Sequence, residues 1–419
     1  MSNNIITEKL GDYVTNSYLF YGKEVNTDRH IPFIYDGMKP IYKRYIITAL
    51  SFPSDKMIKT AIMQGQCMKY HPHGTGNGEI GALVRLGVFD GQGNHGYSSM
   101  TASYPPSASR YTECRLNSKW RQLIEPVLKY VPTELDELNN IVPKYIPLVF
   151  PFCLMQGSEG VGVGLTVSYP SFTSESMLEA YLKDDPTKLK SNTNLKVVTE
   201  DKVNFWKNPI GKIRMAFSYN KINNGFEIIG NPDYVKPRLS KLRKLEEDGK
   251  IYIIDESSGT DKKLLIGINK RVSIDMSKLE ELVIEACIVT KSYNMFTIST
   301  NNKYIEQING HDWIEFTYKN YEQLLMKYKS DKLSNLSDEL EAYNNFSNIA
   351  DYIINQTLSY EEIANKLRLS SVRPVEIIAS KQVGTLRSID SNKRIKLIQD
   401  KIKDANSISI FNVIKEFIK

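Results

Sequence analysis

Arg110 and Tyr111 stand side by side in the stretch Tyr104-Pro105-Pro106-Ser107-Ala108-Ser109-Arg110-Tyr111-Thr112-Glu113-Cys114-Arg115-Leu116. A tyrosine hydroxyl ordinarily ionises near pH ~10, so alone it is a poor nucleophile. A neighbouring arginine supplies a permanent positive charge. That charge favours the phenolate and stabilises what builds on a phosphoryl oxygen under attack. The two prolines rule out a continuous helix upstream and hold the approach as a loop. The plain alternative is that Tyr111, one of 25 tyrosines, lies half-buried in a core. The surrounding sequence decides between the two.

The chain of 419 residues is long enough for two to four domains, and 41% apolar residues allow substantial cores. It contains no run of about eighteen apolar residues to span a bilayer. The start, MSNNIITEKL, lacks the basic and apolar regions of a signal peptide. Four cysteines (67, 114, 153 and 287) stand far apart with no C-x-x-C pair. That spacing fits a reducing compartment and argues against a disulfide framework or a thiolate zinc site. Net charge is +6, and its distribution is uneven. Between Asp36 and Arg121 there are eleven Lys and Arg against five Asp and Glu, an excess equal to that of the whole chain. Such concentration suggests a polyanion partner, nucleic acid first, although an ordinary solvated face would look the same in charge alone.

The elements around these residues follow in order. Residues 5–21 read as a helix, followed by an extended arm ending in Pro32-Phe33-Ile34-Tyr35. Asp36-Gly37-Met38-Lys39-Pro40 opens a second helix, with proline at a first position where its missing N–H costs nothing. Ile41, Tyr45, Thr48, Ala49 and Phe52 form its apolar face, with Lys43 and Arg44 on the other. Phe52-Pro53 stops it, and Ser54 or Asp55 is expected to cap the next helix, which runs to about Tyr70. Two helices joined by a short turn with cations outside make a helix-turn-helix candidate.

Next comes Lys69-Tyr70-His71-Pro72-His73-Gly74-Thr75-Gly76-Asn77-Gly78-Glu79. Three readings compete. The imidazoles, Lys69 and glycine N–H groups could hold a phosphate backbone. His71 and His73 could hold a metal completed by Glu79 or His95, although no third ligand has a typical spacing. Or the stretch is a structural turn. Asp90-Gly91-Gln92-Gly93-Asn94-His95-Gly96 formally contains G-x-G-x-x-G. A dinucleotide fingerprint needs a helix directly after it, and residues 97–109 are polar and hold two prolines, so the glycines read as a tight loop.

Together these pieces resemble the breakage-reunion subunit of type IIA DNA topoisomerases: the gyrase A and topoisomerase IV C families, and the medium subunit of T-even-type phage topoisomerase. The stretches that carry the resemblance are DRHIPFIYDGMKPIYKR (28–44), KYHPHG (69–74), DGQGNHG (90–96), SRYTECRL (109–116) and GSEGVGVGL (157–165). They occur in the family's order and near its spacing. The resemblance is strong to about residue 170 and looser beyond. It implies that Tyr111 is the nucleophile that becomes linked to a DNA 5′ phosphate, and that Arg110 stabilises the transition state. Lys39, His71 and His73 match DNA-contacting positions; Lys43, Arg44 and Lys69 are further DNA-binding candidates. Val161 matches an isoleucine that wedges between base steps, exchanging unstacking for bent DNA. The smaller valine would make a weaker wedge, and a buried glycine-rich loop is the other reading. Two departures from the family pattern are His95, usually aromatic, and Tyr42-Lys43, usually a polar or His residue followed by Arg.

The implied fold is multidomain α+β. A winged-helix (helix-turn-helix) DNA-cleavage domain with an N-terminal arm would occupy 1–145. An α/β tower would occupy 146–312, and a long antiparallel coiled coil with a terminal helical dimerisation knob 313–419. The sequence agrees in part. Gly211–Phe217, Phe226–Ile229, Ile251–Ile254 and Lys263–Ile268 read as strands, with a charged helix over Val235–Gly249. Lys212, Arg214, Lys236, Arg238, Lys241, Arg243 and Lys244 could extend a DNA surface or be ordinary solvated side chains. From Trp313 to Ile354 apolar residues recur at spacings of three and four: Leu333, Leu336, Leu340, Tyr343, Phe346, Ala350 and Ile353. Ile395, Ile398, Ile402 and Ala405 return along the same seam, a coiled-coil period. Val375–Leu386 reads as a compact piece between them and Ile408–Ile418 as a closing amphipathic helix.

The chain carries no G-x-x-x-x-G-K-[ST] and no D-x-D run. Mg²⁺ and ATP are therefore expected on a partner ATPase/TOPRIM subunit, with none bound by this chain alone. The other expected partners are double-stranded DNA and a second copy, since two tyrosines must cut two strands. No wrapping domain follows the expected knob, so relaxation and decatenation are favoured over supercoiling. The expected setting is cytoplasmic, in a bacterial host if phage-encoded, as the short format and lysine- and asparagine-rich composition suggest. Two rivals remain: a non-catalytic DNA-bending protein of the same fold, and a metal-dependent nuclease built on His71, His73 and His95.

Overall fold

The computed structural model describes residues 9–70, 76–136, 138–193, 195–230, 236–258, 261–300, 304–355, 358–381 and 389–418. The chain divides into two compact units, Met1–Tyr321 and Glu322–Phe417. No described helix is long and apolar enough to cross a membrane.

In the first unit, the helix Pro40–Leu50 starts where its proline sits and buries Tyr45, Ile46, Thr48 and Ala49. The next helix begins later than the sequence suggests, at Thr60, and runs to Cys67. Neither Ser54 nor Asp55 caps it, because Ile58–Lys59 is drawn into an antiparallel pair with Glu113 and Cys114. That pairing belongs to a three-stranded sheet in which Glu113–Leu116 lies between Ile58–Lys59 and Phe89–Gln92. A third helix, Asn77–Arg85, buries Ile80 and Leu83. The stretch after the glycine loop is a small hairpin, Tyr97–Ser98 against Ser103–Tyr104. The glycine run thus feeds no helix.

Two larger sheets follow. One has five strands, ordered Lys196–Val197, Ile210–Ala216, Ile288–Asn294, Thr166–Ser168 and Glu159–Val161. The other has four, ordered Ser218–Ile222, Gly225–Gly230, Lys262–Ile268 and Ile251–Asp255, all antiparallel. The charged helix is shorter than expected, Ser240–Glu247. Helices Ser174–Lys183, Thr199–Lys207 and Met276–Cys287 add elements not read from the sequence. The first described helix is Leu10–Val25, shifted toward the C-terminus. An extended arm does not follow it directly. A single π turn, Asn26–His30, intervenes, closed by the Ile31 N–H donating to the Asn26 carbonyl at 2.9 Å.

The second unit is helical. The 35-residue helix Gly310–Asn344 leads into it, and Phe346–Asn355, Tyr360–Leu367, Arg373–Ala379, Ser391–Asn406 and Ile410–Ile418 follow. The apolar residues picked out by spacing converge there. Leu336, Tyr343, Phe346, Ala350, Ile398 and Ala405 are buried in one cluster, with Leu333, Leu340, Ile353, Ile395 and Ile402 packed against it. Of the compact piece expected over 375–386, residues 382–386 lie outside the described residues.

Candidate functional site

Tyr111 is not half-buried: its side chain is 66% exposed. Its backbone is held from both sides. The Tyr111 N–H donates to the Ala108 carbonyl at 2.9 Å, and Ala61 N–H donates to Ser109 O at 3.2 Å. On the other side Thr112 is buried, and its hydroxyl donates to Thr60 Oγ1 at 2.8 Å. Thr60 N–H in turn donates to the Thr112 carbonyl at 2.9 Å. The start of the helix Thr60–Cys67 is thereby bolted to the tyrosine turn. Gly93, at φ +91°, packs against this turn, and a Cβ there would lie 3.0 Å from the Tyr111 carbonyl oxygen. Arg110 is exposed beside Tyr111, with its guanidinium carbon 4.7 Å from the ring centroid. That is within the range of a cation–π contact.

The neighbouring carboxylates are engaged. Glu113 pairs with Lys59 at 2.7 Å, and Asp90 accepts from Arg115 at 3.0 Å and Asn117 at 2.7 Å. His95 is buried, with Nε2 3.0 Å from the Glu113 carbonyl oxygen. Its Nε2 is thus engaged with the strand at Glu113. His71 and His73 lie outside the described residues. Asn77, which opens the next described helix, is tied to the tyrosine turn. Asn77 Nδ2 donates to the Ser107 carbonyl at 3.1 Å, while Asn77 Oδ1 accepts from Gln64 at 2.9 Å. Among the described residues, one group gathers three possible metal ligands: His311, Asp312 and Glu315, at the start of the helix Gly310–Asn344.

A second cluster forms around the Asp36 motif. Asp36 is fully buried and accepts from Met38 N–H at 2.8 Å and Ile146 N–H at 3.0 Å. Burial pushes its carboxyl up to about 6, opposed by those N–H groups and by Lys43. This residue joins the first DNA-helix candidate to the segment that leads to Val161. Lys39 reaches across as well, its ammonium donating to the Glu159 carbonyl at 2.9 Å. Burial lowers the pKa of Lys39. It also lowers that of His30, helped by the charges of Lys39 and Arg29. Val161 itself is 76% exposed, so the buried-loop reading does not hold.

The remaining cations differ in freedom. Lys43 is half-buried and committed, donating to Glu134 at 3.1 Å and to the Lys144 carbonyl at 3.0 Å. Arg44 is half-buried and Lys69 exposed. Further along, Arg214 on its strand is paired with Asp201, and on the helix Ser240–Glu247 Lys241 is paired with Glu285 and Arg243 with Glu246. The structure therefore brings Arg110 and Tyr111 together, and separately Lys39 and the Val161 strand. Sequence reasoning missed Asn77 and Asn26 as anchors. Asn77 carried a signal of sorts, opening a helix right after a glycine-rich loop, but Asn26 carried none.

The family model of the DNA gyrase/topoisomerase IV A-subunit matches residues 29–417. The DNA gyrase A-subunit of Thermotoga maritima is 31% identical over 202 residues, covering 44% of this chain and 25% of that protein. That of Borrelia hermsii is 32% identical over 190 residues, covering 42% and 23%. That of Borreliella burgdorferi is 31% identical over 197 residues, covering 43% and 24%. The matched stretch thus spans about a quarter of these relatives' own length. With the family model spanning almost the whole chain, from the arm to the last helix, the chain belongs to the DNA gyrase/topoisomerase IV A-subunit family.

Proposed function

We propose that this chain is the DNA-cleaving and rejoining subunit of an ATP-dependent type II DNA topoisomerase. The observation that carries the reading is Tyr111: an exposed phenol on a backbone pinned on both sides, with Arg110 against its ring. In this reading the Tyr111 oxygen attacks a DNA phosphorus. The new O–P bond forms as the P–O3′ bond breaks; the phenol gives up its proton and the departing 3′ oxygen takes one. The phosphotyrosine keeps the phosphodiester's energy, so the freed 3′ hydroxyl reverses the step without an outside source. Arg110 stabilises the charge that develops on the phosphoryl oxygens. Two such chains, related by a twofold axis, open both strands for relaxation and decatenation.

The three helices and three-stranded sheet around Tyr111 fit the winged-helix cleavage domain expected over 1–145. The five- and four-stranded sheets fit a tower over 146–312, and the helical cluster beyond fits a coiled coil and dimerisation knob over 313–419. Lys39, Arg44, Lys69, His71 and His73 would meet phosphates and Val161 a base step. Lys43 would join them only by giving up Glu134. ATP and Mg²⁺ would come with an ATPase/TOPRIM partner. The commitment of Glu113 and Asp90 to Lys59 and Arg115 supports placing the metal ligands there. A bound Mg²⁺ would stabilise the leaving oxygen. The setting would be cytoplasmic, in a bacterial host if the protein is phage-encoded.

Covalent capture tests the proposal. The protein, its partner, Mg²⁺ and end-labelled duplex are mixed and stopped with detergent. Label should migrate with wild type and not with Tyr111→Phe. Label on neither, with DNA binding intact and an active partner, would replace catalysis with DNA bending alone. Label on both would move the nucleophile to another tyrosine.

A further inference from the structure

Val161 ends the outermost strand of the five-stranded sheet, in the hairpin Glu159–Val161 against Thr166–Ser168. The hairpin's loop is closed by Gly162 N–H donating to the Leu165 carbonyl at 2.7 Å. The hairpin joins the rest of the sheet through one register pair, Ser168 with Asn294, and through side-chain bonds at its base. Asn294 Nδ2 donates to the Thr166 carbonyl at 2.9 Å and Ser168 Oγ to the Ser292 carbonyl at 3.1 Å, and none of these reaches the tip. A two-stranded ribbon of this size is marginal by itself. It needs a support if its exposed tip is to bear load.

Asn26 supplies one. It is 6% exposed, and its carboxamide makes both bonds that a neighbouring backbone would make. Val163 N–H donates to Asn26 Oδ1 at 2.9 Å, and Asn26 Nδ2 donates to the Val163 carbonyl at 3.0 Å. The surroundings are shaped to this contact. Gly162 leaves the carboxamide room, since a Cβ there would collide with Asn26 Oδ1. One turn earlier, Gly22 lets Val163 approach, and a Cβ on it would stand 3.1 Å from Val163 Cγ1. Asn26 also opens the π turn, an irregularity frequently found at functional sites. Lys39 grips the same strand from its other end, at Glu159.

We propose that Asn26 is a positioning residue that stiffens the Val161 hairpin, so that Val161 can force open a base step and bend the DNA. The proposal rests on the DNA-cleavage reading above. A wedge must withstand the unstacking cost that it imposes. With the carboxamide removed, Val163 loses both partners, the ribbon yields, and the DNA stays straight. Asn26 touches no DNA in this account; it acts through Val161.

The test compares wild type, Asn26→Ala, Val161→Ala and the double variant. Bend is read by energy transfer between the ends of a short duplex, affinity by anisotropy, and cleavage by capture at Tyr111. Asn26→Ala should hold affinity within about twofold, because phosphate contacts dominate it. It should lower the bent population about tenfold through loss of the wedge. The double variant should match Val161→Ala, because one residue acts through the other. Gly162→Ala, which pushes the loop off Asn26, should reproduce the loss and stands in if Asn26→Ala fails to fold. Normal bending by Asn26→Ala and Gly162→Ala, or losses that add to that of Val161→Ala, would overturn the proposal. If wild type captures DNA while those results hold, only the positioning role falls. If wild type neither captures nor bends, the cleavage reading falls and takes this one with it.

Discussion

The Tyr111 turn and the Val161 hairpin solve one problem in two ways. Each holds a single exposed side chain on a rigid backbone. Tyr111 is anchored by its own subdomain: the next residue is buried against Thr60, and Gly93 packs beneath. Val161 is anchored by residues remote in sequence, Asn26 at a separation of 137 from Val163 and Lys39 at 120 from Glu159. In the proposed reading, the chemical group thus has a local mount and the mechanical one has props from elsewhere. The two should fail independently.

The largest effect should separate them outright. Tyr111→Phe removes the attacking oxygen, so capture should fall by at least about 10³-fold, while bending measured on the same duplex stays. Loss of both would break the comparison. Next is Thr112→Val, which strips the buried donor to Thr60 and should cost about 1–3 kcal/mol in urea unfolding. It should slow capture and leave bending alone. Lys39→Met acts on the other side. It should lower the salt slope of binding by about 1 and reduce bending more than capture, read from affinities at several salt concentrations.

The smallest effect concerns the hairpin ahead of Tyr111. Asp255 Oδ2 accepts from Thr101 N–H at 2.9 Å and from its hydroxyl at 2.6 Å. Burial pushes the Asp255 carboxyl up, but hydrogen bonds from Ser257, Ser99 and Thr101 outweigh it and hold the group well below the usual carboxylate range. A depressed carboxyl contributes fully above the unfolded value near pH ~4 and loses that contribution as pH falls through the folded one. The protection factors of the Met100 and Thr101 amides, corrected for intrinsic exchange, should therefore fall as pH drops below about 4 and stay flat above it. Exchange at Val163 should not follow.

The same contrast explains what the sequence revealed. The Arg110-Tyr111 site is legible because its parts are contiguous, and the helix Pro40–Leu50 because proline marks its start. The apolar seam is legible from spacing, since Leu336, Tyr343 and Ile398 do share one cluster. The start of the helix at Thr60 is not legible, because Ile58–Lys59 becomes a strand only by meeting residues 113–114. Asn26 is the extreme case. Nothing nearby requires an asparagine, and its meaning appears only when Val163 is brought to it.

The hairpin that Asp255 holds also sets a leash. Six residue steps separate Thr101 from Ser107, whose N–H donates to Asn94 O at 3.0 Å and whose carbonyl accepts from Asn77. Fully extended, six residues reach roughly 20 Å, and Pro105-Pro106 stiffens the middle. The four-stranded sheet and the tyrosine turn can therefore travel apart only by that slack. Any larger separation must first break the bonds that Asp255 and Ser257 make to this hairpin, or those that hold Ser107.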